Sequence, residues 1–304
     1  MLITFDIGGT SIKYGILTLR KGQPVFVMQD EVSSDARVLK GPGILHRVES
    51  LIAKAMRQDI KGIAISTAGM VDAEKGCIQY ANDNIPEYTG LQFKQQLEAR
   101  FHIPCWVEND VNAAALGEAV FGAGKGAAHV LMLTIGTGIG GAVVIDHTIY
   151  RGCSGSAGEI GYMWVMDHHF QDIASTTALV QHVEAQTKEA DLNGKIICAR
   201  AKRGDAVCMQ AIRELCSHIA IGVSSCACLM NPQIVILGGG IMTQKELFAP
   251  LMETYLKQYM NEEIYAHTQL AFAQLGNRAG MVGACAYWMK QEGIRSEEHT
   301  SELQ

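Results

Sequence analysis

Alternating apolar and polar residues near the start of the chain predict a β-hairpin. Residues 2–5 are an apolar run, residues 8–10 are Gly-Gly-Thr, and residues 12–16 alternate as a returning strand. The same order of strand, glycine-rich turn and strand recurs over residues 133–145. A repeat at this distance along the chain predicts two similar domains, each with its own hairpin.

The remaining periodicities predict a mixed α/β chain. Further strands are expected at 24–32, 61–66, 104–107 and 234–237, and helices at 44–56, 91–101, 110–116, 175–190, 205–230, 246–260 and 279–291. Loops are expected at 33–43, 82–90 and 151–164.

A glycine-rich segment, GAGKG at residues 122–126, is typical of a linker between domains. We therefore expect domains at residues 1–122 and 123–293, with the helix at 279–291 packed back on the first domain. Residues 294–304 have almost no apolar side chains, and we expect a disordered or appended tail there.

One uncharged run, residues 219–244, is long enough to cross a bilayer. The Asn231-Pro232 pair and the three glycines that begin at Gly238 interrupt it. The run is therefore predicted to be a buried helix, a turn and a buried strand.

The composition limits the compartment and the partners. The chain has 304 residues, of which 48% are apolar and 18% charged, with a net charge of −6 and nine cysteines. The negative charge argues against nucleic-acid and membrane partners. Asp6 stands where a secretory leader would be apolar, and an odd number of scattered cysteines favours reduced thiols. We therefore expect a cytoplasmic globular protein without disulfides.

The first hairpin has the chemistry of a phosphate site. Gly8 and Gly9 allow a ligand to approach the backbone closely, and N–H groups exposed at such a turn bind anions. Asp6 at its entrance would repel an anion unless a cation lies between them, and Mg²⁺ bound to nucleotide phosphates fits that need. The alternative is a plain glycine-rich hairpin that Asp6 caps.

The second hairpin carries Gly136, Gly138 and Gly141 in a Gly-x-Gly-x-x-Gly pattern. A dinucleotide-binding fold requires a helix after these glycines, whereas residues 142–145 continue as a strand. We therefore predict a second phosphate-binding hairpin and no dinucleotide fold.

Polar residues also follow two predicted strands. Gly69 ends a turn after the strand at 61–66, and Asn109 and Asp110 lie between a strand and an alanine-rich helix. Ligands in open α/β sheets bind at the carboxyl ends of strands. The pattern alone equally allows a simple turn glycine at Gly69 and a helix N-cap at Asn109 or Asp110.

Five motifs in one order carry a family resemblance over residues 1–290. They are DIGGTSIK, ENDVNAAALGE, IGTGIGG, AGEIGYM and NPQIVILGGGI. The chain resembles the ROK family of sugar kinases, within the actin/hexokinase-like superfamily. The resemblance implies an α/β fold of two ribonuclease-H-like domains flanking a central cleft, with ATP and Mg²⁺ as cofactors and a sugar as substrate.

The resemblance also implies roles for individual residues. Asp6 would hold Mg²⁺ through water, and Asp110 would be the catalytic base. Nucleotide binding is implied for Gly8, Gly9, Thr10, Lys13, Gly136, Thr137 and Gly138, and an adenosine contact for Gly238, Gly239 and Gly240. Sugar binding is implied for Gly69, Asn84, Asn109, Asp110, Glu159 and Tyr162.

Simpler alternatives remain open for several of these positions. Asn84 would otherwise form an Asx-turn before Pro86, and Glu159 would be a solvated loop carboxylate. The glycines from Gly238 would form a tight turn between a strand and a helix, which is compatible with an adenosine contact.

The chain departs from the family pattern around Tyr162, where many members carry a histidine before a cysteine-rich zinc motif. No cysteine occurs between Ser154 and Ile197, so we predict no structural zinc. A second sugar-binding glutamate of the family corresponds to Gln171 or Asp172. These departures resemble a zinc-less branch that includes β-glucoside kinases.

The expected reaction is phosphorylation of a sugar, at the 6-hydroxyl of a glucose unit. Glucose, a β-glucoside and N-acetylmannosamine remain open as substrates. A sugar-sensing regulator or a non-catalytic relic of the family is the alternative of a different class. The hairpin begins at residue 2 and leaves no preceding DNA-binding segment, so an enzyme is expected. A homodimer is the default for such folds.

Overall fold

The structure of the protein is a computed structural model, in which residues 1–294 are described. Of the predicted tail, residues 295–304 lie outside the described residues.

The chain forms two compact units. Unit 1 comprises Met1–Lys125, Gly152–Ser156 and the chain from Asn277, and unit 2 comprises Gly126–Arg151 and Ala157–Gly276. Each unit has its own buried core.

Unit 1 is built on a five-stranded sheet. Its elements are β1 (Leu2–Ile7), β2 (Ser11–Arg20), β3 (Gln23–Ser33), α1 (Ala36–Ala55), β4 (Gly62–Thr67), β5 (Met70–Asp72), β6 (Cys77–Tyr80), α2 (Phe93–Phe101), β7 (Cys105–Asn109), α3 (Asp110–Phe121) and α10 (Ala279–Gln291). The strand order is β3-β2-β1-β4-β7, in which β1, β2 and β3 are antiparallel neighbours while β4 and β7 run parallel to β1. The carboxyl ends of β1, β4 and β7 therefore lie at one edge of the sheet.

Helices cover this sheet with apolar side chains. The core includes Phe5, Ile12, Val48, Ile65 and Val107, all of them buried. Helix α10 packs against α3 and against strands β1 and β4, although it comes from the end of the described chain.

Unit 2 repeats the same sheet. Its elements are β8 (Val130–Ile135), β9 (Ile139–Ile145), β10 (Thr148–Ile149), β11 (Trp164–Val165), β12 (His168–His169), α4 (Phe170–Ala174), α5 (Thr176–Thr187), α6 (Gly194–Lys202), α7 (Ala206–Met230), β13 (Ile234–Gly238), α8 (Lys245–Tyr259), α9 (Glu262–His267) and β14 (Gln269–Phe272). The strand order β10-β9-β8-β13-β14 has three antiparallel strands followed by two parallel ones. This is the arrangement of the first sheet, as the repeated hairpin predicts.

Some elements differ from the sequence prediction. The loop expected at 33–43 contains the first turn of α1, which is interrupted at Lys40 with φ 54° and ψ −173°. The Gly41 N–H donates to Pro86 O at 2.8 Å, outside the helix, and the helix resumes at Pro42, whose ring favours a first helical turn. Several elements were not predicted, and most of them are short: α4, α6, α9 and strands β5, β6, β10, β11, β12 and β14.

Helix α7 is long and apolar enough to cross a membrane by length and composition. Within unit 2 it packs against α4, α5, α6 and α8, and 56% of its most apolar window is buried. This packing explains the apolar composition of α7, because a helix in the core of a unit also has many apolar residues. The described chain also contains all nine cysteines, each as a free thiol.

Helices α3 and α10 approach each other closely enough to require glycine. A Cβ at Gly283 would overlap the carbonyl oxygen of Ala113. We expect Gly283→Ala to lower the free energy of unfolding by about 2 kcal/mol or more, because overpacking forces the helices apart. Chemical unfolding of both proteins measures the difference.

The matched control is Gly8→Ala in the same unit. A Cβ at Gly8 would lie 3.5 Å from Ser11 O, an ordinary contact, so we expect a change within about 0.5 kcal/mol. Equal unfolding midpoints for Gly283→Ala and the unsubstituted protein would contradict the close packing.

Candidate active site

The turn between β1 and β2 is closed by the Gly8 N–H, which donates to Ser11 O at 2.9 Å. Gly9 and Thr10 are exposed, and the Ser34 hydroxyl donates to Gly9 O at 2.6 Å. Neither Gly8 nor Gly9 has a positive φ. The turn therefore tolerates side chains conformationally, and glycine here leaves the backbone uncovered.

Asp6, near the end of β1, lies between two polar side chains. The Ser66 hydroxyl on β4 donates to Asp6 Oδ1 at 2.9 Å, and the Lys13 ammonium on β2 lies 3.6 Å from Asp6 Oδ2. Burial raises the pKa of Asp6, and the charge of Lys13 and the Ser66 hydrogen bond oppose that rise. In the described chain no hydrogen bond joins this carboxylate to the turn, which argues against its being a cap.

Gly280 in the first turn of α10 also contacts Asp6. A Cβ at Gly280 would lie 2.5 Å from Asp6 Oδ1 and 2.8 Å from the Ser66 hydroxyl. The start of a helix carries a partial positive charge, which favours an ionised carboxylate beside it. Sequence analysis missed both Ser66 and Gly280. Ser66 could have been found from its place near the end of a parallel strand, whereas no local signal marks Gly280.

The donor set of unit 1 fits one kind of metal site. Among residues 1–294 no group of three or more His, Cys, Asp or Glu side chains is placed to hold an ion. Mg²⁺ commonly binds one carboxylate together with waters and substrate phosphates. The single carboxylate of Asp6 therefore fits a nucleotide-bound Mg²⁺ and does not fit a cage made only of protein ligands.

Asp110 begins α3 directly after β7. Its Oδ1 accepts hydrogen bonds from the Val111 N–H at 2.9 Å and from the Asn109 side-chain amide at 3.0 Å. No other described residue donates to Oδ2. Burial raises the pKa of Asp110 to about 7, and the negative charge of Asp6 contributes to the rise.

Asn109 is the N-cap of α3, which was one of the two alternatives. Its Oδ1 accepts from the N–H groups of Val111 and Asn112, both at 3.0 Å. Its Nδ2 donates to Gly69 O at 2.9 Å as well as to Asp110. All of these bonds lie within unit 1, so a direct sugar contact would require one of them to be exchanged. That contact stays a prediction.

Gly69 is required by the turn between β4 and β5. Its φ is 96°, and a Cβ would lie 2.8 Å from Tyr80 O. The turn glycine therefore has a structural reason of its own, and its carbonyl orients Asn109.

Asn84 lies in an exposed loop whose Asx-turn is formed by Asn82, because the Asn84 N–H donates to Asn82 Oδ1 at 3.1 Å. Asn84 does not itself form an Asx-turn, because Pro86 two residues later has no N–H to donate to its side chain. The Asn84 side chain makes no hydrogen bond to residues 1–294. A Cβ at Gly9 would lie 3.5 Å from Asn84 O, so this loop adjoins the first turn.

The second turn, between β8 and β9, is closed by the Gly136 N–H, which donates to Gly138 O at 3.0 Å. Thr137 is exposed at its tip, and the Thr176 N–H at the start of α5 donates to Gly136 O at 2.8 Å. A Cβ at Gly136 would meet no atom within 4 Å, and one at Gly138 would lie 2.9 Å from Gln171 Oε1. The side-chain position of Gly136 is thus open to solvent, while its backbone is held by hydrogen bonds to Gly138 and Thr176.

The three glycines after β13 are not equivalent. Gly239 has φ 107°, and a Cβ there would overlap the carbonyl oxygen of Ile135 on β8. Gly238 ends the strand, and a Cβ at Gly240 would meet nothing within 4 Å. The tight-turn alternative therefore explains Gly239, and Gly240 is open for a ligand.

Glu159 precedes a 3₁₀ turn, Ile160–Tyr162, and its carbonyl accepts the Tyr162 N–H at 3.2 Å. The side chain is exposed, and partial desolvation raises the pKa of its carboxyl. Tyr162 is 61% exposed. Both side chains lie at the surface of unit 2.

A hairpin follows in which Trp164 pairs with His169 across strands β11 and β12. Met166 and Asp167 form its turn, each with a positive φ. The Trp164 and His169 rings lie 4.9 Å apart, and the Tyr162 and His169 rings 6.1 Å apart. We name these three rings the aromatic surface. Trp164 is 71% exposed, and sequence analysis did not assign a role to it.

Comparison with known proteins identifies the family of the chain. The chain matches the ROK family over residues 2–292. An uncharacterised protein of Clostridium perfringens is 45% identical, over 93% of this chain and 96% of its own. A beta-glucoside kinase of Listeria monocytogenes is 31% identical, over 96% of this chain and 98% of its own.

Solved structures share the fold. The crystal structure of a ROK family glucokinase from Streptomyces griseus, in complex with glucose and AMPPNP, matches with a TM-score of 0.80 and 30% identity. The match covers 95% of this chain and 99% of that one. The predicted α/β fold of the actin/hexokinase-like class is confirmed. By its sequence and its structure, the chain belongs to the ROK family.

Proposed function

We propose that the protein is an ATP-dependent sugar kinase that transfers the γ-phosphoryl group to the 6-hydroxyl of a glucose unit. Its membership of the ROK family and its similarity to a glucokinase and a beta-glucoside kinase support a sugar kinase. The particular sugar and the particular hydroxyl are part of our proposal and do not follow from this similarity.

The arrangement of Asp110 is the observation that carries the proposal. One oxygen, Oδ1, is held by two donors, while Oδ2 receives no hydrogen bond from another described residue. A pKa of about 7 suits a general base, because the carboxylate is then present at neutral pH and basic enough to accept a proton. Asp110 Oδ2 would accept the proton of the sugar hydroxyl during its attack.

Asn109 would keep this base in position. Its amide ties Asp110 Oδ1 to the start of α3 and to the carbonyl of Gly69. The neighbouring loop would offer the unpaired amide of Asn84 to sugar hydroxyls, since that amide both donates and accepts. Glu159 in unit 2 would accept hydrogen bonds from further hydroxyls.

Each hairpin turn would bind nucleotide phosphate through exposed backbone, with hydroxyls from Thr10 and Thr137. Asp6 would hold the Mg²⁺ of the nucleotide through water, and Lys13 would add positive charge. When bound, Mg²⁺ neutralises charge on the β- and γ-phosphates.

A coupled ADP-release screen over hexoses, amino sugars and β-linked disaccharides tests the proposal. We expect sugar-dependent ADP release with a glucose unit, and ³¹P and ¹³C NMR of the product should place the phosphate on C6. Release that no sugar stimulates would favour a regulator or a relic over an enzyme.

Replacing the base should separate chemistry from binding. In Asp110→Asn the Oδ1 atom can still accept from Val111 and Asn109, so the fold at this position is kept. We expect turnover to fall by about 10²–10⁴-fold, while the sugar dissociation constant in calorimetry stays within about twofold. Asp146→Asn, at a side chain that is 83% exposed, is the matched control. Turnover of Asp110→Asn at the unsubstituted rate would exclude Asp110 as the base.

The pH dependence follows from the raised pKa of Asp110, about 7. Below this pKa the carboxyl is protonated and cannot accept a proton, so kcat/KM should fall as the pH falls. Part of the rise in pKa comes from the charge of Asp6, which Mg²⁺ would offset, so the midpoint in the assay should lie at or below about 7. A rate that stays constant from pH 5 to 8 would contradict this prediction.

The aromatic surface favours one substrate class as a second candidate. Trp164 and Tyr162 are large exposed aromatics next to Glu159 in the chain, and aromatic faces pack well on the apolar C–H faces of sugar rings. We propose that the second ring of a β-glucoside packs on Trp164, so that the substrate is a disaccharide of the cellobiose type.

Trp164→Ala distinguishes the two substrates. We expect the KM for cellobiose to rise about two- to tenfold, if the ring contact contributes as much as an aromatic pair, about 0.5–1.5 kcal/mol, while the KM for glucose is unchanged. Tyr150→Ala, at another exposed tyrosine of unit 2, is the control. Equal changes for both sugars would contradict the proposal, and a change of oligomeric state in light scattering would assign Trp164 to a subunit contact.

A further inference from the structure

We propose that Ser66 and Gly280 are positioning residues that set the metal affinity of the site by fixing the Asp6 carboxylate. This inference rests on the proposed function in one respect, the assignment of Asp6 to the nucleotide-bound Mg²⁺. Neither residue belongs to a glycine-rich turn, and neither contacts the nucleotide in this proposal.

Ser66 holds one oxygen of the carboxylate. It is fully buried in β4, directly beside Asp6 in the parallel register of β1 and β4. Its hydroxyl donates to Asp6 Oδ1 at 2.9 Å, a good geometry for a hydrogen bond to a charged acceptor. The two residues are neighbours because they occupy paired positions on adjacent strands.

Gly280 leaves room for the same oxygen and for the Ser66 hydroxyl. The site of its absent Cβ lies 2.5 Å from Asp6 Oδ1 and 2.6 Å from the carboxyl carbon. Real Cβ atoms do not approach so closely, so any larger residue would displace Asp6 or Ser66. Helix α10 packs so close to Asp6 that only a glycine at position 280 leaves room for the observed position of the carboxylate.

The second oxygen, Asp6 Oδ2, makes no hydrogen bond to Ser66, and in this proposal it faces the metal. Lys13 Nζ lies 3.6 Å from Oδ2, close enough for charge attraction and too long for a hydrogen bond. With Oδ1 fixed, Oδ2 has one orientation and can accept a metal-bound water. If the Ser66 hydroxyl is removed, the carboxylate can rotate toward Lys13, and the ion pair then competes with the metal.

The test compares nucleotide affinity with and without metal, a measurement that does not depend on turnover. Calorimetry with AMPPNP is run over a Mg²⁺ series and again in EDTA, for the full chain and for Ser66→Ala. We expect the half-saturating Mg²⁺ concentration to rise about tenfold or more in Ser66→Ala, as for a lost hydrogen bond to a charged group. Affinity in EDTA should be unchanged.

Two further variants complete the experiment. Gly280→Ala should raise the half-saturating Mg²⁺ concentration at least as much, because its methyl group displaces the carboxylate itself. Ser224→Ala is the matched control, since Ser224 is a buried serine of unit 2 whose hydroxyl has no partner in the described chain. Thermal unfolding of each variant verifies that it is folded, and Ser66→Ala alone decides the question if Gly280→Ala does not fold.

The outcomes separate this inference from the proposed function. An unchanged Mg²⁺ requirement in Ser66→Ala overturns the inference even if the protein is an active kinase. Equal losses with Mg²⁺ and in EDTA also overturn it, because they indicate a general structural role. An AMPPNP affinity that Mg²⁺ does not affect in the unsubstituted protein removes its basis. A selective Mg²⁺ defect supports it even if no sugar stimulates ADP release, a result that would overturn only the proposed function.

Discussion

Two carboxylates at the carboxyl ends of the parallel strands β1 and β7 are the constraint on which the site of unit 1 depends. Asp6 lies near the end of β1 and Asp110 directly follows β7, and the charge of Asp6 contributes to the raised pKa of Asp110. Each has one oxygen held by donors from the protein and one that is not. These hydrogen bonds orient both carboxylates, and the proposed roles, a cation at Asp6 and a proton at Asp110, would use the other oxygen of each.

The fold and the site share their hydrogen bonds. Asn109 caps α3, ties the turn at Gly69 to it and holds Asp110, all with one amide. The first N–H groups of a helix have no partner within the helix, and a side-chain cap such as Asn109 satisfies two of them in α3. Capping α3 and holding Asp110 are compatible roles for Asn109, and its contact with a sugar stays a prediction. Ser66 likewise has two roles, because its backbone belongs to strand β4 and its hydroxyl donates to Asp6.

Local patterns predicted what depends on local chemistry. The two hairpins, the carboxylate before the alanine-rich helix and the core helix α7 all follow from turn residues and apolar periods. Gly280 could not be found in this way, because its role arises from α10 packing beside β1, far apart in the sequence. The aromatic surface was missed for a related reason. Trp164 and His169 become neighbours only through a hairpin of two-residue strands, which is too short to show an alternation.

The glycines divide into two groups that sequence cannot distinguish. Gly239 has a left-handed backbone and Gly280 touches a carboxylate, so alanine does not fit at either position. Gly8 and Gly136 have neither constraint, and alanine would fit both. What a methyl group would change there is the surface of the turn, because it would stand beside N–H groups that are otherwise open. Neither the backbone nor the packing therefore requires glycine at these two positions, and the proposed approach of a phosphate to the turn would account for it.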